Sequence, residues 1–327
     1  MKISVQFPVR VWLVVIVVLF AVRVISAGIV RSGPIPTRDQ AIGDLTRATP
    51  LERAAFEDDT AFFQPIRKPT SGDWLAEHDE PGQTVLEYRL GLSALKPEPE
   101  QKALYMLPLG QFQSGTTPSL AKLREFCAAF FGMETRLLGS TPLDKVPAKR
   151  RMFGRPPKLQ LQTTDILEWL PGIKPRDAYS IVAVTMEDLY PGEAWNFVFG
   201  EATLQGGAGV FSFARYDPAF YGEKRDEQTQ ALILKRSCKV LAHETGHMFG
   251  MMHCVFYECL MNGSNHLGET DVQPMHLCPV CLRKLQLNAG FDFVKREELL
   301  LKFYETNAME NETEWTRRRI EKMRAAK

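Results

Sequence analysis

Histidine is scarce in this chain, so its placement is informative. Six histidines occur among 327 residues, and three of them fall between positions 243 and 253. An excess of one charge is lacking as well, because 40 lysines and arginines are balanced by 39 aspartates and glutamates. A net charge of +1 produces no overall field that would attract nucleic acid or an acidic surface. We therefore expect no nucleic-acid partner, and we expect partners to be recognised locally.

The N-terminal apolar run is short of the ~20 residues that a helix needs to span a bilayer. Val11–Val22 has twelve residues and follows the basic residues Lys2 and Arg10. This length suits the apolar region of a signal peptide, which has about 7–15 residues. We predict a signal peptide or membrane-anchor-like segment over residues 1–30, with secretory or membrane-associated localisation through residues 11–22. The alternative is a start without a targeting role.

An internal repeat of solenoid length is also lacking, and 45% hydrophobic content allows a sizeable core. Residues 31–100 show no sustained period and contain many prolines, so we expect a loosely packed, irregular extension there. Short helices are predicted within it at 37–46 and 50–58. Regular structure is predicted over 101–306, followed by a charged, solvated tail over 307–327.

Hydrophobic periodicity predicts a mixed α/β (α+β) fold for the central part. An apolar strand at 103–109, a helix at 118–131 and a strand at 133–138 form one unit, whose two strands should be parallel. The apolar run 178–186 is typical of a strand in the middle of a covered sheet. A long helix is predicted over 228–249.

Three other stretches are predicted to lie at the surface or at an edge. The glycines at 206–209 lead into a strand and not a helix, which argues against a phosphate-binding loop. Residues 211–216 alternate with period two, which predicts an edge strand able to pair with an extended peptide. Six lysines and arginines at 145–158 predict a basic surface loop, and the polar residues at 187–190 predict another loop.

Residues 243 to 253 carry the pattern H-E-x-x-H-x-x-G-x-x-H. On a helix, His243 and His247 share one face. Gly250 can adopt positive φ and turn the chain back, which brings His253 toward the first two rings. A lone helical histidine is more often an ordinary core or surface residue. Three histidines with a glutamate and a glycine at these offsets favour a metal site.

The residue types in this pattern suit zinc-assisted hydrolysis. Three neutral imidazoles leave the fourth zinc position for water, whose pKa falls from 15.7 toward about 7. Glu244 follows the first ligand, where its carboxylate can take a proton from that water and later pass it to a leaving amine. The alternative is a catalytically silent, zinc-stabilised binding or scaffold protein. The intact Glu244 argues against it, since a purely structural site has no use for this carboxylate.

Four of the six cysteines lie close together in the sequence. They are Cys254, Cys259, Cys278 and Cys281. A C-x-x-C segment spans too little chain for an unstrained disulfide within itself, and paired cysteines at this spacing suit tetrahedral zinc. We predict a closed structural zinc site that fixes the segment after His253. The nearby sequon at Asn262 is predicted to be accidental, because it falls in a packed turn.

The run from His243 to Cys281, with Leu260–Met261 and Leu277–Cys281 within it, resembles the archaemetzincins. Residues 185–191, 195–200 and 210–216 also resemble the animal members of that family, so the resemblance covers roughly residues 100–300. It implies a metzincin-like zinc-peptidase domain over 101–306, with a mixed twisted sheet, an active-site helix and a C-terminal part that binds zinc through cysteines at 254–281.

The resemblance also implies roles for individual residues. The catalytic zinc would be bound by His243, His247 and His253, with Glu244 as general base and acid. Met261 would be the Met-turn residue. The structural zinc would be bound by Cys254, Cys259, Cys278 and Cys281, which makes two zinc ions in all. The implied activity is aminopeptidase-like hydrolysis of small, neutral peptides, and the implied alternative location is the cytoplasm or nucleus. We expect the protein to be a monomer.

Overall fold

The computed structural model describes residues 34–91, 96–203 and 207–326. Its strands are β1 (Ala103–Leu109), β2 (Glu134–Leu137), β3 (Arg150–Phe153), β4 (Lys158–Gln162), β5 (Ala178–Thr185), β6 (Asp188–Tyr190), β7 (Gly200–Thr203) and β8 (Ala208–Ser212). Its α-helices are α1 (Arg38–Ile42), α2 (Pro50–Phe56), α3 (Trp74–Glu77), α4 (Val85–Gly91), α5 (Leu120–Phe131), α6 (Thr163–Ile173), α7 (Thr229–Met248), α8 (Leu267–Val272), α9 (Pro279–Ala289), α10 (Phe293–Thr306) and α11 (Glu310–Ala325).

The main sheet contains five strands in the order β2-β1-β5-β8-β7. Strands β2, β1, β5 and β8 pair in parallel, and β7 pairs antiparallel to β8 at the edge. Every residue of β1 and β5 is buried, as expected for apolar strands in the middle of a covered sheet. The predicted mixed α/β fold and the predicted parallel pairing of the first two strands are confirmed.

The predicted edge strand at 211–216 is wrong. Strand β8 lies between β5 and β7, and the chain then forms a 3₁₀ turn over Ala214–Tyr216. Ser212, whose polar side chain suggested a solvent-facing side, is itself buried. Its hydroxyl group is satisfied there, because Oγ donates to the carbonyl oxygen of Glu187 at 2.6 Å. The edge position belongs to β7, whose sequence is too short to show a period.

The two predicted loops at 145–158 and 187–190 instead contribute strands to a second sheet, in the order β3-β4-β6. The basic side chains made this stretch resemble a surface loop, but one of them, Arg151, makes contacts that stabilise the fold. Its guanidinium carbon lies 3.9 Å from the ring centroid of Tyr190, and its Nη2 donates to the carbonyl oxygen of Trp195 at 2.5 Å. An arginine that stacks on an aromatic ring and caps a carbonyl can occupy a strand despite its charge.

The described residues 34–91 of the N-terminal extension are packed and not loose, which corrects the prediction of a loosely packed segment. Ile42, Phe56, Phe63 and Tyr88 all belong to the buried core that also includes the long helix α7. Their spacing shows no period because each comes from a different short helix or turn. Burial of such side chains contributes about 1.5–3 kcal/mol each, so this segment is part of the folded unit.

The predicted solvated tail is likewise packed over its described residues, 307–326. Helix α11 buries Ile320, Met323 and the charged Arg319. Arg319 donates from Nη1 and Nη2 to the carbonyl oxygens of Ala54 and Ala55, each at 3.1 Å. The arginine thus caps the end of α2, and its burial could not be recognised from a sequence rich in charge.

The predicted signal peptide or anchor at residues 1–30, with its apolar run 11–22, falls outside the described residues. Among the helices in the described parts of the chain, none is both long and apolar enough to cross a membrane. The prediction of a secretory or membrane-associated location, and of membrane association, is therefore corrected and withdrawn.

Candidate metal centre

Helix α7 supplies the first two histidines of the motif. It begins at Thr229 and ends at Met248, and Gly250 follows with φ of 81°, as the sequence predicted. Residues four apart lie on one helix face, and the rings of His243 and His247 have centroids 4.7 Å apart. Their Nε2 atoms lie 3.1 Å from each other.

The turn after Gly250 brings His253 to the same place. Its ring centroid lies 5.3 Å from that of His243 and 4.9 Å from that of His247. Nitrogen atoms of all three rings lie within 4.8 Å of one another. The three histidines singled out from the sequence therefore converge, although His253 comes from beyond the helix.

The other ring nitrogens have partners that set the tautomers. Nδ1 of His243 lies 2.8 Å from the carbonyl oxygen of Leu260, and Nδ1 of His247 lies 2.6 Å from that of Met251. A carbonyl oxygen can only accept, so each Nδ1 carries the proton and each Nε2 carries a free lone pair. Burial lowers the pKa of His243 to about 3, and it lowers the pKa of His247 well below its ordinary value. Both rings are neutral, which is the state that binds a metal.

Glu244 is buried beside these rings with an unused oxygen. Its side chain is 3% exposed, and Oε2 has no hydrogen-bond partner. Burial raises the pKa of its carboxyl group to about 8. An unpartnered buried carboxyl group costs about 1–3 kcal/mol or more, so its presence indicates a function and not a role in stability. The donor set and this carboxylate together fit a catalytic zinc.

The side chain of Glu244 lines a small cavity. The residues that line it are Phe199, Tyr216, Lys239, Val240, His243, Glu244, His253, Leu260, Ser264, Leu267, Thr270 and Gln273. The charge of Lys239 is directed into the wall, because its Nζ donates to the carbonyl oxygens of Thr270, Asp271 and Gln273 at 2.8, 2.9 and 2.5 Å. The cavity therefore presents a largely uncharged surface next to Glu244.

Met261 packs against α7 at Gly246, which lies between the two helical histidines in the chain. A Cβ atom built on Gly246 would lie 2.7 Å from Sδ of Met261 and 3.0 Å from Cε of Met251. A side chain at position 246 would therefore force the two buried methionines to shift. Two methionine side chains thus pack against the segment of α7 that carries His243 and His247.

The four clustered cysteines also converge, and all are buried. Their sulfur atoms lie within 4.8 Å of one another, and the Sγ atoms of Cys254 and Cys278 are 3.6 Å apart, well beyond a disulfide bond. Sγ of Cys259 accepts from the backbone N–H groups of Met261 at 3.5 Å and Cys278 at 3.3 Å. Four buried thiols with N–H donors directed at sulfur fit a closed tetrahedral zinc site.

The side-chain amide of Asn262 is hydrogen-bonded within the loop that joins the cysteines. Its Nδ2 donates to the carbonyl oxygens of Cys254 at 2.7 Å and Tyr257 at 2.9 Å, and its Oδ1 accepts from the N–H of Cys259 at 2.7 Å. The side chain is buried. This sequon therefore lies in a packed turn that its amide group stabilises.

A third group of possible ligands was not recognised in the sequence. Asp73, His266 and Glu269 place ligand atoms within 4.8 Å of one another. The carboxylate of Glu269 already accepts from the N–H groups of Trp74 at 3.1 Å and Asn265 at 2.8 Å, and His266 Nδ1 accepts from the N–H of Glu269. These contacts explain the group as capping of α3 and α8.

Glu80 is another residue that the sequence did not indicate. Its Oε1 lies 2.6 Å from Nδ1 of His253. It comes from the proline-rich segment before the sheet, 173 positions from its partner, and no local pattern marks it.

Comparison with known proteins decides the family. The sequence profile of Peptidase family M54 matches residues 160–287. Archaemetzincin-2 of Homo sapiens is 36% identical over 281 residues, an alignment that covers 77% of this chain and 78% of the human protein. The chain belongs to the archaemetzincin family. Archaemetzincin-1 of Homo sapiens is 30% identical over 284 residues, which cover 77% of this archaemetzincin and 57% of the relative.

Two solved structures of archaemetzincins also match this chain. The archaemetzincin of Archaeoglobus fulgidus is 29% identical with a TM-score of 0.42, and the alignment covers 56% of this chain and 99% of the other. The archaemetzincin of Methanopyrus kandleri is 28% identical with a TM-score of 0.45, covering 59% and 98%. Family membership makes the chain a zinc metallopeptidase, and it decides for an enzyme over the silent scaffold.

Proposed function

We propose that His243, His247 and His253 hold the catalytic zinc and that Glu244 is the general base of peptide hydrolysis. One observation carries this proposal. A buried carboxylate with an unpartnered oxygen lies beside three imidazoles whose nitrogen atoms converge within 4.8 Å. Such an arrangement costs stability unless an ion and a reacting water use it.

Zinc, when bound, supplies Lewis acidity that acidifies water and polarises the scissile carbonyl group. Glu244 takes one proton from the attacking water as the oxygen bonds to the carbonyl carbon. The same carboxyl group then gives that proton to the amide nitrogen as the C–N bond breaks. Glu244 thus holds the proton between the two steps, and the buried position of its side chain keeps the proton from bulk water.

We further propose a second, structural zinc at Cys254, Cys259, Cys278 and Cys281. Four thiols buried together support this assignment, because thiolates so close to one another require a cation between them. Cys254 follows His253 directly, so this site would hold the third catalytic ligand in place. Met261, which lies against Gly246, is proposed as the Met-turn residue.

The proposed substrates are small peptides without charged side chains, cleaved in an aminopeptidase-like manner. The cavity beside Glu244 is lined mainly by apolar and uncharged polar side chains, among them Phe199, Val240 and Leu267. The one lysine in its wall, Lys239, is already used by three carbonyl groups, so its charge is not directed at a substrate side chain. The edge strand β7 offers backbone groups with which an extended peptide can pair.

The test compares matched short peptides that differ only in a free or an acetylated N-terminus. Aminopeptidase-like action predicts cleavage of the free form and little cleavage of the acetylated form. Equal cleavage of both forms, at internal bonds, would instead show an endopeptidase. Glu244→Gln serves as the reference without activity, so that any contaminating peptidase is detected.

A further inference from the structure

The third histidine is held differently from the first two. His243 and His247 direct Nδ1 at backbone carbonyl oxygens, whereas Nδ1 of His253 meets the carboxylate of Glu80 at 2.6 Å. A hydrogen bond to a charged acceptor is roughly twice as strong as one between neutral groups. The imidazole that lies beyond the helix, where the helix cannot fix it, thus has the strongest acceptor.

The surroundings of Glu80 fix its carboxylate in turn. Glu80 Oε1 also accepts from Nε1 of Trp74 at 2.6 Å, and the Glu80 side chain is 13% exposed. The Trp74 ring packs edge-on against the His253 ring, with centroids 5.1 Å apart. Both oxygens of Glu269 accept from the backbone N–H of Trp74 at 3.1 and 3.2 Å, which anchors the tryptophan itself.

The same N-terminal segment holds the turn that leads to His253. Gln83 accepts from the N–H of Met252 and donates to the carbonyl oxygen of Gly250, each at 3.2 Å. The hydroxyl group of Tyr88 donates to the carbonyl oxygen of Phe249 at 2.7 Å. The backbone from the end of α7 to the third histidine is therefore fixed by side chains outside the region that matches the family profile.

We propose that Glu80 is a positioning residue for the third zinc ligand. Its carboxylate fixes the tautomer and orientation of His253, leaves Nε2 free for the ion, and makes that nitrogen a stronger donor. This inference rests on the proposed ligand set, in which His253 binds the catalytic zinc. The N-terminal segment is thereby part of the metal centre and not an appendage to it.

The test measures zinc affinity in the full-length protein by competition with a chelator. Zinc content per chain, measured alongside, separates the histidine site from the cysteine site. The variants are Glu80→Ala, Glu80→Gln and, as a reference for loss of the ligand, His253→Ala. Asp79→Asn is the matched control. It also removes one negative charge, but from an exposed side chain that neighbours Glu80 in the chain.

Loss of an outer carboxylate partner weakens metal binding roughly 10–100-fold, and we expect this range for Glu80→Ala. Glu80→Gln keeps the shape and an acceptor oxygen, so we expect a smaller loss, and Asp79→Asn should stay within about twofold of the parent. Unchanged melting temperature and circular dichroism in Glu80→Gln would show that its loss of affinity is not unfolding.

Two results would overturn the inference. The first is parental zinc affinity in both Glu80 variants while His253→Ala loses the ion. The second is an equal loss in Asp79→Asn and Glu80→Gln, which would indicate a general charge effect. If His253→Ala itself retains full affinity, the proposed ligand set fails instead, and the two failures are thereby distinguished.

Discussion

His253 and Cys254 are adjacent in the chain, yet their side chains belong to different clusters. The imidazole of His253 joins the histidines of α7, and the thiol of Cys254 joins the four buried cysteines. The backbone N–H of Cys254 donates to the carbonyl oxygen of Met261 at 2.8 Å, which ties this junction to the loop under the helix. One peptide bond therefore links the two candidate zinc sites.

Loss of a cysteine is expected to disturb both sites. Cys259→Ser removes a sulfur that accepts two backbone N–H groups, and we expect loss of one zinc per chain. Structural zinc contributes about 10–16 kcal/mol in small domains, which is comparable to the whole stability of a typical protein. We therefore expect a large fall in melting temperature and weaker retention of the second ion, measured by circular dichroism and metal analysis.

The control is Cys127→Ala, which removes a buried thiol from α5 outside the cluster. It should keep both ions and lose only about 1 kcal/mol. Parental zinc content and melting temperature in Cys259→Ser would rule out the structural site.

Replacement of the general base is expected to separate catalysis from folding. Glu244→Gln removes the proton acceptor but leaves the histidines and their partners in place. We expect kcat to fall by about 10²–10⁴-fold with zinc content unchanged. Melting temperature should stay equal or rise, because a buried unpartnered carboxylate is removed. Glu227→Gln, an exposed glutamate just before α7, is the control, and undiminished turnover in Glu244→Gln would remove Glu244 from the mechanism.

Close packing under the active helix predicts opposite effects of alanine at two helical glycines. Gly246→Ala would place Cβ 2.7 Å from Sδ of Met261, so we expect a loss of about 1–3 kcal/mol. Gly172→Ala in α6 meets nothing within 4 Å, so we expect a gain of about 0.5–1 kcal/mol from helix propensity. Urea unfolding measures both. A neutral Gly246→Ala would mean that the methionine does not support the helix.

The buried ion pair between Arg215 and Asp188 joins the second sheet to the turn after β8. Asp188 is 2% exposed, and it accepts from Nε and Nη2 of Arg215, each at 2.7 Å. Asp188→Ala leaves the guanidinium group buried against Phe197 without its partner, so we expect a loss of about 3–5 kcal/mol. Glu134→Ala breaks an exposed pair with Arg136 and should cost about 0–1 kcal/mol. Similar unfolding free energies for the two variants would contradict this ranking.

The sequence predicted those parts of the site that are local in the chain. His243, His247 and Gly250 are related by helix geometry. The cysteines fall in two closely spaced pairs. In both cases the spacing in the sequence was enough to indicate the residues. Glu80 could not be predicted in this way, because 173 positions separate it from His253. Only the folded chain brings such residues together.

The errors in the fold have a comparable cause. Periodicity reports which side of a strand is polar, but Ser212 satisfies its hydroxyl group inside the sheet, so a buried strand resembled an edge. Charge indicated a solvated tail, but Arg319 is buried through hydrogen bonds to the carbonyl groups of α2. Polar groups that find partners through the tertiary fold give no local signal of burial.

Anomalous diffraction at the zinc absorption edge, from crystals of the zinc-loaded protein, tests the central claim most directly. We expect two peaks per chain. One should lie within bonding distance of Nε2 of His243, His247 and His253 with Glu244 beside it, and the other should lie among the four cysteine sulfurs. A single peak at the cysteines, or a first peak that His253 does not contact, would contradict the proposed catalytic centre.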